Sequence, residues 1–270
     1  MMRSLWTAAS GMRTQQTTID VTANNLANVN TTSYKKETAE FKSLLYQSIQ
    51  TKTTSSNGEQ KPIDAQIGLG VRNSSVSTAF RQGPVQPSDG TWDFAIQGNG
   101  FFRVRGEDGE VYYTRTGKFQ MAIANSGTML ATAEGLPVLD TNGASILFDS
   151  TIDTAKLTIT EDGTFCYPDE QNNPKPLGIR IGLVQFTNPA GLVKTGDSMY
   201  QVSAASGDPV LESSGNVKTS KISQGYLEAS NVQVVDEMVD MIIAQRAYEM
   251  NSKAITTSDE MLGQANQLKR

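Results

Sequence analysis

Large apolar residues recur every seven positions near the start of the chain, at Leu5, Met12, Ile19 and Leu26. Ala8, Ala9, Gln15, Gln16, Thr22 and Ala23 fill the turns between them, while Arg3, Thr7, Arg13, Thr14, Thr17 and Asp20 take the opposite face. The pattern predicts an amphipathic helix over about 4–29, with a coiled-coil-like seam one stripe wide. At 1.5 Å per residue it would be roughly 39 Å long, and it has too little apolar surface to hold itself helical alone. The other end of the chain repeats the device. Leu227, Val234, Met241, Tyr248, Ile255 and Leu262 are again seven apart, Met238, Ala244 and Ala265 thicken the stripe, and Val235, Val239, Ile242 and Ala247 widen it. This predicts a helix over about 232–268, far longer than the average of about 11–12 residues. Helices of that length are coiled coils, bundles or membrane spans. No run approaches the ~18 consecutive apolar residues of a span, so the two terminal helices are expected to pair with each other, antiparallel or nearly so.

Between the helices the period changes to two. Asp93-Phe94-Ala95-Ile96-Gln97 leads into Gly98-Asn99-Gly100 and then Phe101-Phe102-Arg103-Val104-Arg105. A turn at Glu107-Asp108-Gly109-Glu110 returns the chain through Val111-Tyr112-Tyr113-Thr114-Arg115, a hairpin signal. Further turns are expected at Asn125-Ser126-Gly127, Asn142-Gly143 and Glu161-Asp162-Gly163. Short strands at such spacing indicate an antiparallel sandwich or barrel, placed at about 71–222. Thr51 to Gly70 is polar and turn-rich and reads as a linker or extended arm. The fold class is therefore α+β: terminal helices at 1–30 and 228–270, a connecting region at 31–70 with 223–227, and a β domain at 71–222.

Composition narrows the chemistry. The 270 residues carry a net charge of −5, with 37% hydrophobic and 19% charged residues. No basic run exceeds Lys35-Lys36, which gives no electrostatic footprint for nucleic acid. The chain has no histidine and one cysteine, Cys166. The commonest general base and metal ligand is thus missing, and neither an intrachain disulfide nor a thiolate cluster can form. Cys166 is expected to be a small buried hydrophobe. The N-terminus has no continuous apolar core and no clean cleavage site, so no removable signal peptide is expected.

One enzymatic pattern needs weighing. Ser33-Tyr34-Lys35-Lys36 matches S-x-x-K and Lys194-Thr195-Gly196 matches K-T-G, the signature of penicillin-recognising serine hydrolases with Ser33 as nucleophile and Lys36 as its partner. The S-D-N element is missing, Ser33 follows a helix instead of opening one, and Lys194 sits in a stretch that reads as a turn. Gly98-Asn99-Gly100 lacks the third glycine and the helix of a dinucleotide fingerprint and reads as a bend between strands. No catalytic residue, cofactor, metal or small-molecule substrate is expected.

The N-terminal run through Ala23-Asn24-Asn25-Leu26-Ala27-Asn28 resembles the bacterial flagellar rod and hook family, whose helix closes on A-N-N-L-A-N. The chain departs from that family at Ser33-Tyr34, where Gly-Phe is common. Asp93 to Phe102, Tyr113 to Phe119, Gln224 to Val232 and Gln245-Arg246-Ala247-Tyr248-Glu249 are similar to the family's later blocks, in the same order. The segment from about Tyr46 to Val71 resembles an extended insertion of the distal-rod branch that hook subunits usually lack. The resemblance implies an axial subunit of the flagellar basal body that is exported without a cleaved signal and polymerises with itself into a hollow helical tube. Proximal rod and hook subunits, surrounding ring proteins and the export apparatus are its implied partners. A flexible hook-type subunit is the alternative within the family. The implied subunit interfaces are the helix stripes, Leu5, Met12, Ile19 and Leu26 on the first and Val234, Met238, Met241, Tyr248, Ile255 and Leu262 on the second. The family motif is Asn24, Asn25, Leu26, Ala27 and Asn28.

Overall fold

A computed structural model describes residues 2–50, 65–124, 127–149, 152–169, 173–215 and 217–268. Most of the elements are β-strands, and two long α-helices lie at the two ends of the chain. The residues group into two compact units. One comprises 1–27, 37–78 and 233–270, and the other 28–36 and 79–232. The chain thus visits the β unit at 28–36, returns to the helical unit at 37–78 and re-enters the β unit at Ala79, later than the change of composition near residue 71 suggests.

In the helical unit, helix α1 spans Met2–Ala27 and helix α2 spans Val234–Gln267. They run antiparallel. Ser4 and Ser258 share a hydroxyl–hydroxyl hydrogen bond at 3.4 Å. A Cβ on Gly11 would lie 2.9 Å from the Asn251 amide nitrogen, and the Asn25 amide donates to Glu237 Oε2 at 3.0 Å. Each step of seven or fourteen residues along α1 is matched by the same step back along α2. Contact is therefore made through small and polar residues, with Ala8, Thr22 and Asn25 buried on α1 and Glu237, Ala244 and Ser258 buried on α2. The large anchors Leu5, Met12, Ile19 and Leu26 are only half-buried, because backbones that approach at glycine and serine push bulky side chains to the flanks of the seam.

Four strands complete this unit: β1 (Glu37–Ser43), β2 (Tyr46–Gln50), β3 (Ala65–Gly68) and β4 (Val71–Thr78). β1 pairs antiparallel with β4, with a bulge between Glu40 and Phe41, and β2 pairs antiparallel with β3. The polar stretch expected as an arm therefore ends in a hairpin strand, and its residues 51–64 lie outside the described residues. The same holds for Asn125 and Ser126 of the expected turn before Gly127.

In the β unit, β5 (Val85–Pro87) pairs with Tyr226–Glu228, and β6 (Phe94–Gln97) pairs with Lys221–Gln224. The expected hairpin of β7 (Phe101–Arg105) and β8 (Val111–Thr114) is present. It forms the centre of a six-stranded antiparallel sheet in the order Val193–Gly196, Met199–Gln201, β8, β7, Leu183–Gln185, Val210–Leu211. β9 (Phe119–Ala124) and β10 (Gly127–Thr132) form a three-stranded sheet with Leu147–Phe148. These sheets are open, and no barrel closes among the described residues. Alternation along β7 explains the packing. Phe102 and Val104 enter one core with Phe94, Phe119, Leu130 and Phe165, while Phe101 enters a second core with Tyr113, Phe186 and Tyr200. Both faces of the central hairpin are thus covered, and edge-to-face aromatic pairs such as Phe102–Phe119 at 5.1 Å and Tyr113–Phe186 at 4.9 Å reinforce it. Cys166 is buried in this unit, as its sequence context suggests.

Candidate assembly surface and polar hub

A chain of this size ordinarily hides most of its large apolar side chains, yet α2 displays a row of them. Val235 is 73% exposed, and Met238, Val239, Ile242, Ile243 and Met250 are also exposed. Of the interface residues expected on α2, Val234, Met238 and Tyr248 are exposed, whereas Met241, Ile255 and Leu262 are half-buried. Ile243 and Met250 belong to the exposed row although the repeat does not single them out; their signal is helical spacing, Ile243 four residues after Val239 and Met250 seven after Ile243. On α1, Trp6 stands 72% exposed. Patches of this kind on a soluble surface mark interaction sites.

The Asn-rich end of α1 has a local explanation. Asn25 is buried, its amide nitrogen donates to the Glu37 carbonyl at 2.9 Å, and its side-chain oxygen accepts from the Glu37 N–H at 2.9 Å. The side chain thus pairs with β1 as a neighbouring strand would, besides reaching Glu237 on α2. Asparagine alone among short side chains carries both a donor and an acceptor in that geometry. Leu26 is half-buried beside it, and Asn24 and Ala27 face outward. Asn28, in the β unit, accepts at its side-chain oxygen from the Thr31 hydroxyl at 3.0 Å.

The β unit holds a buried charged hub. Glu228 Oε1 accepts from Lys35 Nζ at 2.6 Å and from the Gly83 N–H at 2.8 Å, while Oε2 accepts from Arg115 Nε at 3.3 Å. Lys35 Nζ also donates to the Arg81 carbonyl at 2.9 Å, and Arg115 donates to the carbonyls of Gly98 at 2.8 Å and Gly100 at 2.6 Å. All three side chains are almost wholly shielded from solvent. Burial lowers the pKa of Lys35, a shift that the neighbouring Glu228 charge opposes and Arg115 reinforces. Asn231 extends the hub, accepting from the Lys36 N–H at 2.7 Å and donating to the Ala79 carbonyl at 2.9 Å. Buried charges so thoroughly hydrogen-bonded fix one arrangement of the strands that carry them.

Three family models match the chain in order. "Flagella basal body rod protein" covers residues 5–35, "Flagellar hook protein FlgE/F/G D1 domain" residues 95–167, and "Flagellar basal body rod FlgEFG protein C-terminal" residues 223–268. A flagellar basal-body rod protein FlgG of Borreliella burgdorferi is 43% identical, with 100% of each chain covered. The FlgG of Caulobacter vibrioides is 40% identical over 99% of this chain and 100% of that one. The chain belongs to the flagellar basal-body rod protein family. It is a structural subunit of the bacterial flagellum, located in the basal body. A flagellar hook-basal body complex protein FlhP of Bacillus subtilis is more distant, at 31% identity over the whole of both chains. Among the described residues, no helix of this rod protein is long and apolar enough to cross a membrane.

The family blocks converge on the hub. Lys35 comes from the block after α1, Arg115 from the block Tyr113 to Phe119, and Glu228 and Asn231 from the block Gln224 to Val232. No role for these side chains was legible from spacing. Ser33 takes the left-handed conformation at φ 57°, which favours glycine. Its N–H donates to the Glu228 carbonyl at 2.8 Å and its hydroxyl to the Arg115 carbonyl at 2.9 Å, which hold that conformation.

The hydrolase pattern dissolves here, though one ground for doubting it needs correction. Lys194-Thr195-Gly196 lies on a strand, Val193–Gly196, where a turn was expected; Asp197 and Ser198, both at positive φ, make the tight turn instead. Ser33 nonetheless sits in the loop after a helix, its hydroxyl committed to a backbone carbonyl, and does not open a helix with Lys36 one turn on.

Proposed function

We propose that this chain is the distal rod subunit, polymerising into a hollow, stiff helical tube that carries torque from the motor to the hook. The observation that carries the proposal is the exposed apolar row on α2, together with membership of the rod family. That row is too extensive to face water in the working state, and within the helical unit α1 meets α2 on a different, small-residue seam. A neighbouring subunit covers it in the tube. Contacts between unlike patches on identical subunits generate open helical polymers when the rotation does not close.

In the assembled rod, residues 1–30 with 228–270 form the coiled-coil-like layer lining the channel, 31–70 with 223–227 the connecting layer, and 71–222 the outer layer, apart from β4, which stays with the helical unit. Leu5, Met12, Ile19 and Leu26 meet neighbours on the α1 side, and Val234, Met238, Met241, Tyr248, Ile255 and Leu262 do so on the α2 side. Proximal rod subunits, hook subunits and the surrounding rings adjoin the ends and outer surface, and the export apparatus delivers the chain. The stretch from Thr51 braces adjacent protofilaments and keeps the shaft straight. Deletion of Thr51–Gln66 should yield a filament that bends, scored by curvature in electron micrographs of isolated basal bodies. Deletion filaments as straight as the parent would remove that role, and curved parent filaments would favour a hook-type subunit.

A further inference from the structure

The helical unit contains a groove of about 460 Å³ whose walls include Trp6, Ala9 and Arg13 of α1, Leu44 between β1 and β2, and Val71 and Arg72 of β4. Its apolar floor is flanked by two guanidinium groups. The β1–β4 register adds a third cation, setting Lys42 directly opposite Arg72, both exposed. Like charges directly opposite on an antiparallel pair destabilise it, so this surface calls for an anionic partner.

The first turns of α2 have the complementary chemistry. Val235, Val239 and Ile242 are exposed apolar residues in a row, and Asp236 and Asp240, both exposed, lie one turn apart beside them. A chain cannot place these turns in its own groove. Asn25 meets Glu237, whereas Gly11 meets Asn251, so the start of α2 lies beside the far end of α1, roughly 21 Å from Gly11 at 1.5 Å per residue.

We propose that the groove receives the N-terminal turns of α2 from a second copy of this chain, with Val235 and Val239 over Trp6 and Leu44 and the Asp236 and Asp240 carboxylates against Arg13 and Arg72. The proposal rests on the polymer reading above and names the pair of surfaces that makes it work. Groove and insert are different patches on one chain, so every copy that docks leaves its own groove open for the next. The contact is heterologous and propagates without closing.

The test uses full-length chains with Cys166→Ser, one carrying Arg72→Cys and the other Asp236→Cys, co-expressed in cells that lack the native copy. A short bismaleimide is applied and basal bodies are isolated. A covalent dimer is expected only when both variants are present together. Rods that form normally but give no dimer overturn the groove pairing and leave the polymer reading standing. Basal bodies containing no polymer of the chain even without substitutions overturn both. Charge exchange provides a second arm: Arg72→Asp, which faces Lys42 with an opposite charge, should reduce rod number without lowering the monomer's melting temperature, and adding Asp236→Arg should restore rod number. Failure of the exchange to restore rods, with the single variant defective, also counts against the pairing.

Discussion

Replacing Glu228 by Gln removes one charge and no volume from the hub, and its cost follows from the bonds described. The carboxylate accepts from Lys35 and Gly83 on one oxygen and from Arg115 on the other. A glutamine keeps one acceptor oxygen, but its NH2 group must then face the N–H donors of Lys35 or Arg115. Two buried cations lose their counter-charge at once. Breaking a buried ion pair from one side costs about 3–5 kcal/mol, a large share of the roughly 5–15 kcal/mol that holds a domain folded. For a unit of this size, that corresponds to a fall in melting temperature of roughly 6–20 °C. Lys35→Met is the comparison. It keeps the length of the stem and leaves Glu228 bonded to Arg115 and the Gly83 N–H, so about 1–3 kcal/mol is expected, the cost of unsatisfied buried acceptors. Thermal unfolding followed by near-ultraviolet circular dichroism reads the aromatic cores of the β unit directly. If Lys35→Met costs as much as Glu228→Gln, or if Glu228→Gln melts with the parent, the carboxylate is not the centre of the hub.

Gly117 lies where a Cβ would overlap the Phe94 carbonyl oxygen, and its own carbonyl accepts from the Phe94 N–H at 2.9 Å; Gly117→Ala should therefore destabilise by about 1–3 kcal/mol or more, read by the same melts. The lowered pKa of Lys35 fixes the sign of a pH effect. Between that folded value and the usual 10.5, the native state binds fewer protons than the unfolded one, so Lys35 makes stability rise with pH. The stability of the parent relative to Lys35→Met should then grow as pH climbs through that window, and a shrinking difference would contradict it. Lys221 behaves oppositely: its hydrogen bond to exposed Glu161 raises its pKa, so its contribution is complete below 10.5 and lost above the folded value. Limited proteolysis of purified monomer should cut the helical unit first and leave the β unit, 28–36 with 79–232, resistant; cleavage inside the β unit before either terminal helix is cut would contradict this.

The seven-residue repeats announced both helices to within about two residues at each end, because every row of a helix inherits the period. They did not say which row faces the partner. That is decided where backbones come closest, at Gly11 and Ser258, and small residues leave no mark in a hydrophobic pattern. The β7–β8 hairpin was legible from alternation and its Asp108-Gly109 turn. The partner of β4 was not, since alternation predicts a strand and is silent about its neighbour; pairing with β1 carries β4 into the helical unit. The hub was the least legible feature. Lys35 and Glu228 are 193 positions apart, and no local spacing rule spans such a gap. Asn25 lay in a quoted motif, but its imitation of a strand edge needed the position of Glu37.

The same separation orders events in time. A chain that emerges from one end as a thread delivers Lys35 early, Arg115 midway and Glu228 only when most of its length is out. Closing so long a loop is slow and brings no reward until the last member arrives. The hub therefore works as a latch on completeness. A partly delivered chain cannot lock its loop after α1 against its strands, and a truncated one never will. Subunits cut short before Glu228 would remain unlatched, open to proteolysis and unable to enter the shaft as defective parts.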